Sequence, residues 1–165
     1  MDKLIIKVIK AIEKYEMIEE GDRVILAVSG GPDSTCLLDI LNRIKEQFKI
    51  SLIVAYVHHG IREKEADAEA RFVRLKCSHL NLLFHQLSLS VPEMAKEMGL
   101  SIEQAGRVAR YKFFRELAVK HQAQKIALGH HADDQIETIL MRLIRGSGIR
   151  GLRGIPPKRG IFIRP

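Results

Sequence analysis

The sequence has little cysteine and no long hydrophobic run. Its 165 residues include two cysteines, Cys36 and Cys77, which lie far apart, so a disulfide framework or a zinc ribbon lacks the residues it needs. No window of eighteen or more apolar residues occurs, and lysines are spread through the amphipathic segment 1–15. We therefore expect a cytoplasmic protein that is neither secreted nor inserted into a membrane.

The last acidic residue of the sequence is Glu137, and residues 138–165 contain none. The formal net charge of +7 comes from 27 Lys and Arg against 20 Asp and Glu. Seven cations follow Glu137, namely Arg142, Arg145, Arg150, Arg153, Lys158, Arg159 and Arg164. Such a one-sided cluster predicts binding to a polyanion such as nucleic acid. The alternative is a solvated surface that keeps the protein soluble.

The hydrophobic pattern predicts one α/β domain over residues 1–165. Hydrophobic residues make up 46% of the chain, which is enough for one core. The predicted helices cover residues 3–19, 33–48, 63–80, 101–121 and 133–144, and the predicted strands cover 23–28, 52–57, 82–87, 125–129 and 161–165. This alternation indicates a Rossmann-like, doubly wound fold with a mainly parallel five-stranded sheet and helices on both faces.

Three polar loops follow strands of the predicted sheet. They comprise residues 29–34, 58–60 and 129–134. Because the carboxyl ends of parallel strands lie at one edge of a sheet, we expect these loops to converge on one site. Each loop alone is a weak signal, since Gly, Ser, Asp and His are common in ordinary turns and helix caps.

The first loop, Ser29-Gly30-Gly31-Pro32-Asp33-Ser34, has the parts of a phosphate site. Its glycines let the backbone approach a ligand, and the helix that follows directs N–H groups at an anion. The two serines add hydroxyl donors, and Asp33 suits a site where magnesium lies between it and phosphate. The Walker sequence is absent, which disfavours a kinase or GTPase of that class. The alternative is a helix that Asp33 or Ser34 merely caps.

This loop matches the SGGxDS pattern of the PP-loop ATP pyrophosphatases, which cleave ATP between its α and β phosphates. Further motifs resemble the tRNA(Ile)-lysidine synthetase family, in order and over nearly the whole chain. They are His58-His59-Gly60-Ile61-Arg62, residues 103–111, residues 129–138, Arg145-Gly146-Ser147-Gly148 and Gly151-Leu152. Such enzymes attach the side-chain amine of free lysine to the wobble cytidine of the CAU anticodon of isoleucine tRNA. The resemblance implies an adenine nucleotide alpha hydrolase-like fold that uses ATP with Mg²⁺ and releases AMP and pyrophosphate.

The resemblance also implies roles for individual residues. ATP is expected to contact Ser29, Gly30, Gly31, Pro32, Asp33, Ser34 and His59, with Asp33 acting through magnesium. Asp134 and Glu137, one helical turn apart, suit the charged amine of lysine, while Arg110 suits its carboxylate or a phosphate. The expected catalytic residues are Asp33, Arg110, Asp134 and Glu137. The expected tRNA contacts are Arg107, Arg145, Arg150 and Arg153.

Several simpler explanations stay open. Acidic residues in a first helical turn complement the helix dipole, and arginines three residues apart are often surface residues. His130 and His131 suit a structural role as well as metal binding or proton transfer. Cys36 is expected to pack in the core beside Leu37 and Ile40.

Other functions and the extent of the protein also stay open. Sulfur-inserting relatives use added cysteine pairs, and the absence of such pairs favours a ligase over a thiolation enzyme. A small-molecule synthetase of the amidotransferase type and a nucleotide-binding module without chemistry are further alternatives. Family members usually continue into helical tRNA-binding domains, which we expect to be absent from this chain. The oligomeric state is open, with a homodimer as one alternative.

Overall fold

The computed structural model describes residues 2–61, 63–130, 132–146 and 154–165. Helices and strands alternate along these residues. The helices are α1 (Lys3–Lys14), α2 (Pro32–Ile44), α3 (Glu63–His79), α4 (Val91–Met98), α5 (Ile102–His121) and α6 (Ala132–Ile144). The strands are β1 (Arg23–Ala27), β2 (Ser51–His58), β3 (Leu83–Ser88), β4 (Lys125–Leu128), β5 (Lys158–Arg159) and β6 (Phe162–Ile163).

The strands form one mainly parallel sheet in the order β3-β2-β1-β4-β6-β5, which confirms the predicted α/β class. The sheet has six strands rather than the predicted five. The additional strand is β5, which reverses direction at Gly160 and pairs antiparallel with β6. Gly160 has a φ of 59°, a left-handed conformation that suits glycine in such a tight turn.

Side chains that alternate along the central strands form two apolar layers. Val24 and Leu26 of β1 face a core cluster with residues from α1, α2 and α3, whereas Ile25 faces a second cluster built from α5. Full burial of each large apolar side chain contributes about 1.5–3 kcal/mol, so both faces of the sheet are strongly stabilised. The helices therefore lie on both faces, as the doubly wound prediction requires.

The order of strands along the chain reverses between β1 and β4. From β1 the chain first moves toward β2 and β3, and it then returns to place β4 on the other side of β1. Ala27 pairs with Ala55 on one side and with Leu128 on the other, so β1 and β4 end level with each other, while β2 continues to His58. Such a reversal opens a crevice at the carboxyl edge of a parallel sheet.

Three elements differ from the prediction. Helix α1 ends at Lys14, and Glu16 then adopts a φ of 47°, so the predicted extension to residue 19 is wrong. Helix α2 ends at Ile44, so its predicted extension to residue 48 is also wrong. The short helix α4 was not predicted, although Pro92 in its first turn and the left-handed Gly99 after its last residue are typical start and stop signals.

The expected packing of Cys36 in the core is also wrong, because its side chain is exposed. The buried side of α2 carries Leu37, Leu38 and Leu41. At about 100° per residue, Cys36 lies roughly a third of a turn away from the centre of that side.

Among the residues that the structure describes, no helix combines the length and the apolar character needed to cross a bilayer.

Candidate active site

A cavity of about 530 Å³ opens at the carboxyl edge of the sheet, above β1, β2 and β4. All three polar loops contribute to its walls, so the predicted convergence is confirmed, and α3 and α5 complete it. The polar residues and glycines of its lining are Ser29, Gly31, Ser34, Tyr56, His59, Glu65, Glu69, Arg107, Arg110, Tyr111, Gly129 and His130. This volume is within the range of pockets that bind small ligands.

The loop of residues 29–34 is held in place by its own serine side chains. The Ser29 N–H donates to Ser34 Oγ at 3.1 Å, and Ser34 Oγ donates to the Gly31 carbonyl at 3.2 Å. Gly30 has a φ of 88°, which allows the sharp bend before the helix. Gly31 is the N-cap of α2, so neither Asp33 nor Ser34 occupies the cap position. Gly31 and Ser34, at the start of α2, line the cavity.

Helix α3 packs directly over this loop. A methyl group on Gly30 would lie 2.9 Å from Cβ of Glu69, which leaves room for glycine alone. The Tyr56 hydroxyl donates to the Ala66 carbonyl at 2.9 Å and lies 3.4 Å from the Glu69 carboxylate. Burial, reinforced by Glu69, raises the pKa of Tyr56 to about 12. Tyr56 thus fastens α3 to the sheet at the edge of the cavity.

Sequence analysis did not single out Tyr56, Glu65 or Glu69. The two glutamates lie four residues apart and both line the cavity, so their spacing on one face of α3 was a usable signal. The sequence predicts only a helix over residues 63–80. Both glutamate side chains are exposed and line the cavity.

Arg107 and Arg110 lie on α5 and bring positive charge to the cavity wall. The Arg107 guanidinium carbon lies 5.0 Å from the centre of the Tyr111 ring, which holds it in a cation–π contact. The Arg110 side chain remains exposed, yet its partial desolvation lowers its pKa; Tyr111 opposes this shift and Arg107 adds to it. The Arg110 guanidinium remains charged at neutral pH.

His58 and His59 have different environments at the end of β2. His58 is buried: its Nδ1 accepts from the Gly60 N–H at 3.2 Å, and its Nε2 lies 3.4 Å from Asp67. It therefore stabilises the loop. His59 lines the cavity, where burial lowers its pKa and Arg110 adds to the effect. A neutral imidazole is thus favoured at this wall.

His130 lies at the end of the third loop and also lines the cavity. Burial on its protein side lowers its pKa, the charge of Arg164 adds to this, and Asp134 opposes it. Asp134 is thus close enough to act on His130, but neither Asp134 nor Glu137 belongs to the cavity wall. Both carboxylates lie one turn apart on α6, and Glu137 is exposed.

The remaining predicted residues are distributed as follows. Gly30, Pro32 and Asp33 belong to the phosphate-type loop without lining the cavity, and Asp33 is exposed. Arg145 is exposed just after α6. Arg62, His131, Arg150 and Arg153 lie outside the described residues.

The described residues contain no group of three or more His, Cys, Asp or Glu side chains that could hold a metal ion. Asp33, a single carboxylate on the first turn of α2, offers the oxygen ligands that Mg²⁺ prefers.

Comparison with known proteins shows a family and a set of relatives. The family model for the PP-loop domain matches residues 2–165. The chain is 46% identical to the tRNA(Ile)-lysidine synthase of Caldanaerobacter subterraneus subsp. tengcongensis over 162 residues, which cover 98% of this chain and 35% of the relative. It is 48% identical to the enzyme of the same name from Thermosipho africanus, covering 98% of this chain and 38% of the relative. The chain spans about a third of the length of these curated relatives.

Among solved structures, the chain is similar to the U34-tRNA thiolase NcsA from Methanococcus maripaludis with its [4Fe-4S] cluster. The TM-score is 0.75 at 21% identity, and the match covers 99% of this chain and 59% of the thiolase. This likeness shows a shared fold. Because the PP-loop domain model covers nearly every residue, and residues 29–34 form the phosphate-type loop in the structure, the chain belongs to the PP-loop domain family.

Proposed function

We propose that this protein ligates lysine to the wobble cytidine of the CAU anticodon of tRNA(Ile) at the expense of ATP. The observation that carries the proposal is the identity of 46–48% to tRNA(Ile)-lysidine synthases over nearly the whole chain. The cavity supports it, because a phosphate-type loop and two arginines line the same space. We infer that such an enzyme works in the cytoplasm, where tRNA is found.

In the first step, the oxo group of cytosine attacks the α-phosphate of ATP. The bond between the α- and β-phosphates breaks, and pyrophosphate leaves with the electron pair. The loop that contains Gly31 and Ser34 holds the departing pyrophosphate, since backbone N–H groups at the start of α2 stabilise the charge that grows there. Arg110 neutralises a second anionic group, either phosphate or the lysine carboxylate.

In the second step, the side-chain amine of lysine attacks the activated ring carbon. AMP leaves with the former oxo oxygen, and the nitrogen loses a proton. Asp134 and Glu137 lie near the start of α6 and attract the charged amine. Asp134 is close to His130, which lines the cavity. His59, with its lowered pKa, provides a neutral contact for adenine or ribose.

Magnesium bound with ATP supplies charge neutralisation at the phosphates. We assign Asp33, on the first turn of α2, as the residue that binds this magnesium ion. For tRNA, we assign Arg107 at the cavity and Arg145, Arg150 and Arg153 in the basic segment after Glu137. These cations match a phosphate backbone rather than a small neutral substrate.

Two alternatives within the same fold are less well supported. A tRNA thiolation enzyme of the sulfur-inserting kind would need cysteine pairs, and this chain has only Cys36, exposed on α2, and Cys77, buried on α3. A small-molecule synthetase has less use for seven cations without acidic residues between them.

Exchange of labelled pyrophosphate into ATP tests the proposal. We expect exchange that requires tRNA, does not require lysine, and is abolished by Asp33→Ala. Asp39→Ala is the matched control, because it removes a carboxylate from the same helix. The Asp39 carboxylate lies away from the loop and pairs with Lys76 at 2.9 Å. Equal exchange with lysine alone would contradict the assignment, since lysine itself would then be adenylated.

A further inference from the structure

The side chain of Glu69 lies beside the phosphate-type loop, on the wall of the cavity. A methyl group on Gly30 would lie 2.9 Å from its Cβ, 3.1 Å from its Cγ and 3.5 Å from its carboxyl carbon. The whole side chain of Glu69 thus runs along the bend of the loop. It brings negative charge to a loop whose backbone and hydroxyl groups suit phosphate.

Two buried side chains of β2 hold the segment of α3 that carries Glu69. The Tyr56 hydroxyl lies 3.4 Å from the Glu69 carboxylate and donates to the Ala66 carbonyl at 2.9 Å. His58 Nε2 lies 3.4 Å from the Asp67 carboxylate. The position of Glu69 is therefore fixed by the protein itself. A hydroxyl beside a carboxylate orients it, as the outer partners of metal ligands do.

A fixed carboxylate beside a phosphate loop creates an electrostatic conflict. Carboxylate and phosphate oxygens repel each other at short range, which weakens the binding of a nucleotide. Among the residues that the structure describes, no Lys, Arg or His forms an ion pair with Glu69. A divalent cation resolves the conflict, because Mg²⁺ binds one or two carboxylates together with substrate phosphates.

We propose that Glu69 supplies a second carboxylate, besides Asp33, to the divalent cation that accompanies ATP. This assignment rests on the function proposed above, which uses ATP with magnesium, and deepens it by adding a ligand from α3 to the one from α2. Asp33 belongs to the loop but not to the cavity wall, whereas Glu69 lines the wall directly. Tyr56 then acts as a positioning residue, because its hydroxyl holds the Glu69 carboxylate.

Equilibrium titration of ATP, once in excess Mg²⁺ and once in EDTA, tests this proposal without the need for catalysis. The wild-type chain is compared with Glu69→Gln, which removes the charge and keeps the shape, and with Glu69→Asp, which keeps the charge. Glu116→Gln is the matched control, because Glu116 is an exposed carboxylate on α5 that does not line the cavity. Urea unfolding of each variant shows whether the fold is retained.

We expect Glu69→Gln to weaken ATP binding by about tenfold in Mg²⁺, because the cation loses a ligand. In EDTA the same substitution should strengthen ATP binding by about two- to fivefold, since it removes the repulsion between two like charges. Glu69→Asp should change the affinity less than Glu69→Gln in both conditions, and Glu116→Gln should change it in neither. Effects of Glu69→Gln with the same sign in both conditions, or no effect in either, overturn the proposal, because a purely structural role of Glu69 does not depend on the cation.

The opposite signs also separate this proposal from the proposed function. If they appear but the protein does not transfer lysine to tRNA, Glu69 binds the cation and the proposed function is wrong. If lysine is transferred but the two effects have the same sign, the proposed function stands and Glu69 is not a ligand of the cation.

Discussion

Gly129 at the end of β4 lies against Ser34 in the first turn of α2. A methyl group added to Gly129 would lie 3.0 Å from Cα of Ser34 and 3.1 Å from its backbone nitrogen. Strand β4 and the phosphate-type loop come from distant parts of the chain, yet only a glycine lets them meet this closely. The loop of residues 129–134 therefore begins in close contact with the loop of residues 29–34.

Gly129→Ala should weaken ATP binding by about tenfold, because the added carbon pushes on the backbone of the loop, and overpacking of this kind costs about 1–3 kcal/mol. ATP titration of the folded variant measures the effect. Gly21→Ala is the control: its φ of 86° makes the substitution strained, but nothing lies within 4 Å and the loop is not involved. Gly21→Ala should lose stability and keep its ATP affinity. Unchanged ATP binding in Gly129→Ala would argue against the contact.

Tyr56→Phe should raise the KM for ATP several-fold and leave kcat nearly unchanged, because the hydroxyl hydrogen-bonds to α3 and positions that helix over the loop. It should also lower the free energy of unfolding by about 1 kcal/mol, since the Ala66 carbonyl loses its donor. Steady-state kinetics and urea unfolding provide both values. Tyr15→Phe, which changes an exposed tyrosine, is the control. A fall in kcat with unchanged KM would contradict a positioning role.

Alkaline pH should destabilise the wild-type protein through the same tyrosine. The pKa of Tyr56 is about 12 in the folded state, above the ordinary value of about 10, so the fold favours the neutral phenol. The stabilisation is therefore complete below about pH 10 and is lost as the pH rises toward about 12. Unfolding measured across this range should show a smaller loss in Tyr56→Phe. Equal losses would show that other groups cause the effect.

Acid should destabilise the protein through His85. Its ring centre lies 4.6 Å from that of His121, and burial, with His121 and Lys120 adding to it, lowers its pKa. The unfolded chain then binds protons more readily, so stability is complete above about pH 6.5 and falls as the pH drops below that value.

His85→Leu should reduce this acid-induced loss, whereas His79→Leu, which removes an exposed imidazole, should not. Urea unfolding at a series of pH values from about 7 down to about 5 covers the window. If both variants follow the wild-type curve, the His85–His121 pair is not the cause.

Binding of tRNA should weaken steeply with salt, because the cations after Glu137 act on phosphates. Arg145→Gln should lower the slope of log affinity against log salt by about one, and joint neutralisation of Arg150 and Arg153 should flatten it further. Arg43→Gln, an exposed cation on α2 outside this segment, is the control. A slope that falls only in Arg43→Gln would place the tRNA elsewhere.

Much of the fold was predictable because local patterns determine it. Apolar runs that alternate with helical periodicity require a parallel sheet with helices on both faces, and parallel strands bring their following loops to one edge. The meeting of Ser34, His59 and His130 around one cavity follows from this rule alone. Likewise, the glycines of residues 29–34 indicate a phosphate-type loop from the requirements of its backbone.

Features that depend on contacts between distant segments were not predictable. The position of Glu69 over Gly30 depends on how α3 packs against the loop, which the sequence of the helix alone does not determine. A small cavity of about 200 Å³ depends on the approach of Arg164, just after β6, to His130, just after β4. Strand β5 is two residues long, too short to produce a pattern, and Cys36 shows that an apolar neighbourhood in sequence does not fix which side of a helix is buried.

The central claim is tested most directly by mass spectrometry of the nucleosides from tRNA(Ile) with a CAU anticodon, after incubation with the protein, ATP and isotopically labelled lysine. The account predicts that the wobble cytidine gains one labelled lysine with loss of water, that AMP and pyrophosphate form in equal amounts, and that Asp33→Ala abolishes both. An unmodified cytidine beside active, tRNA-dependent pyrophosphate release, or a sulfur-containing nucleoside in its place, would contradict it.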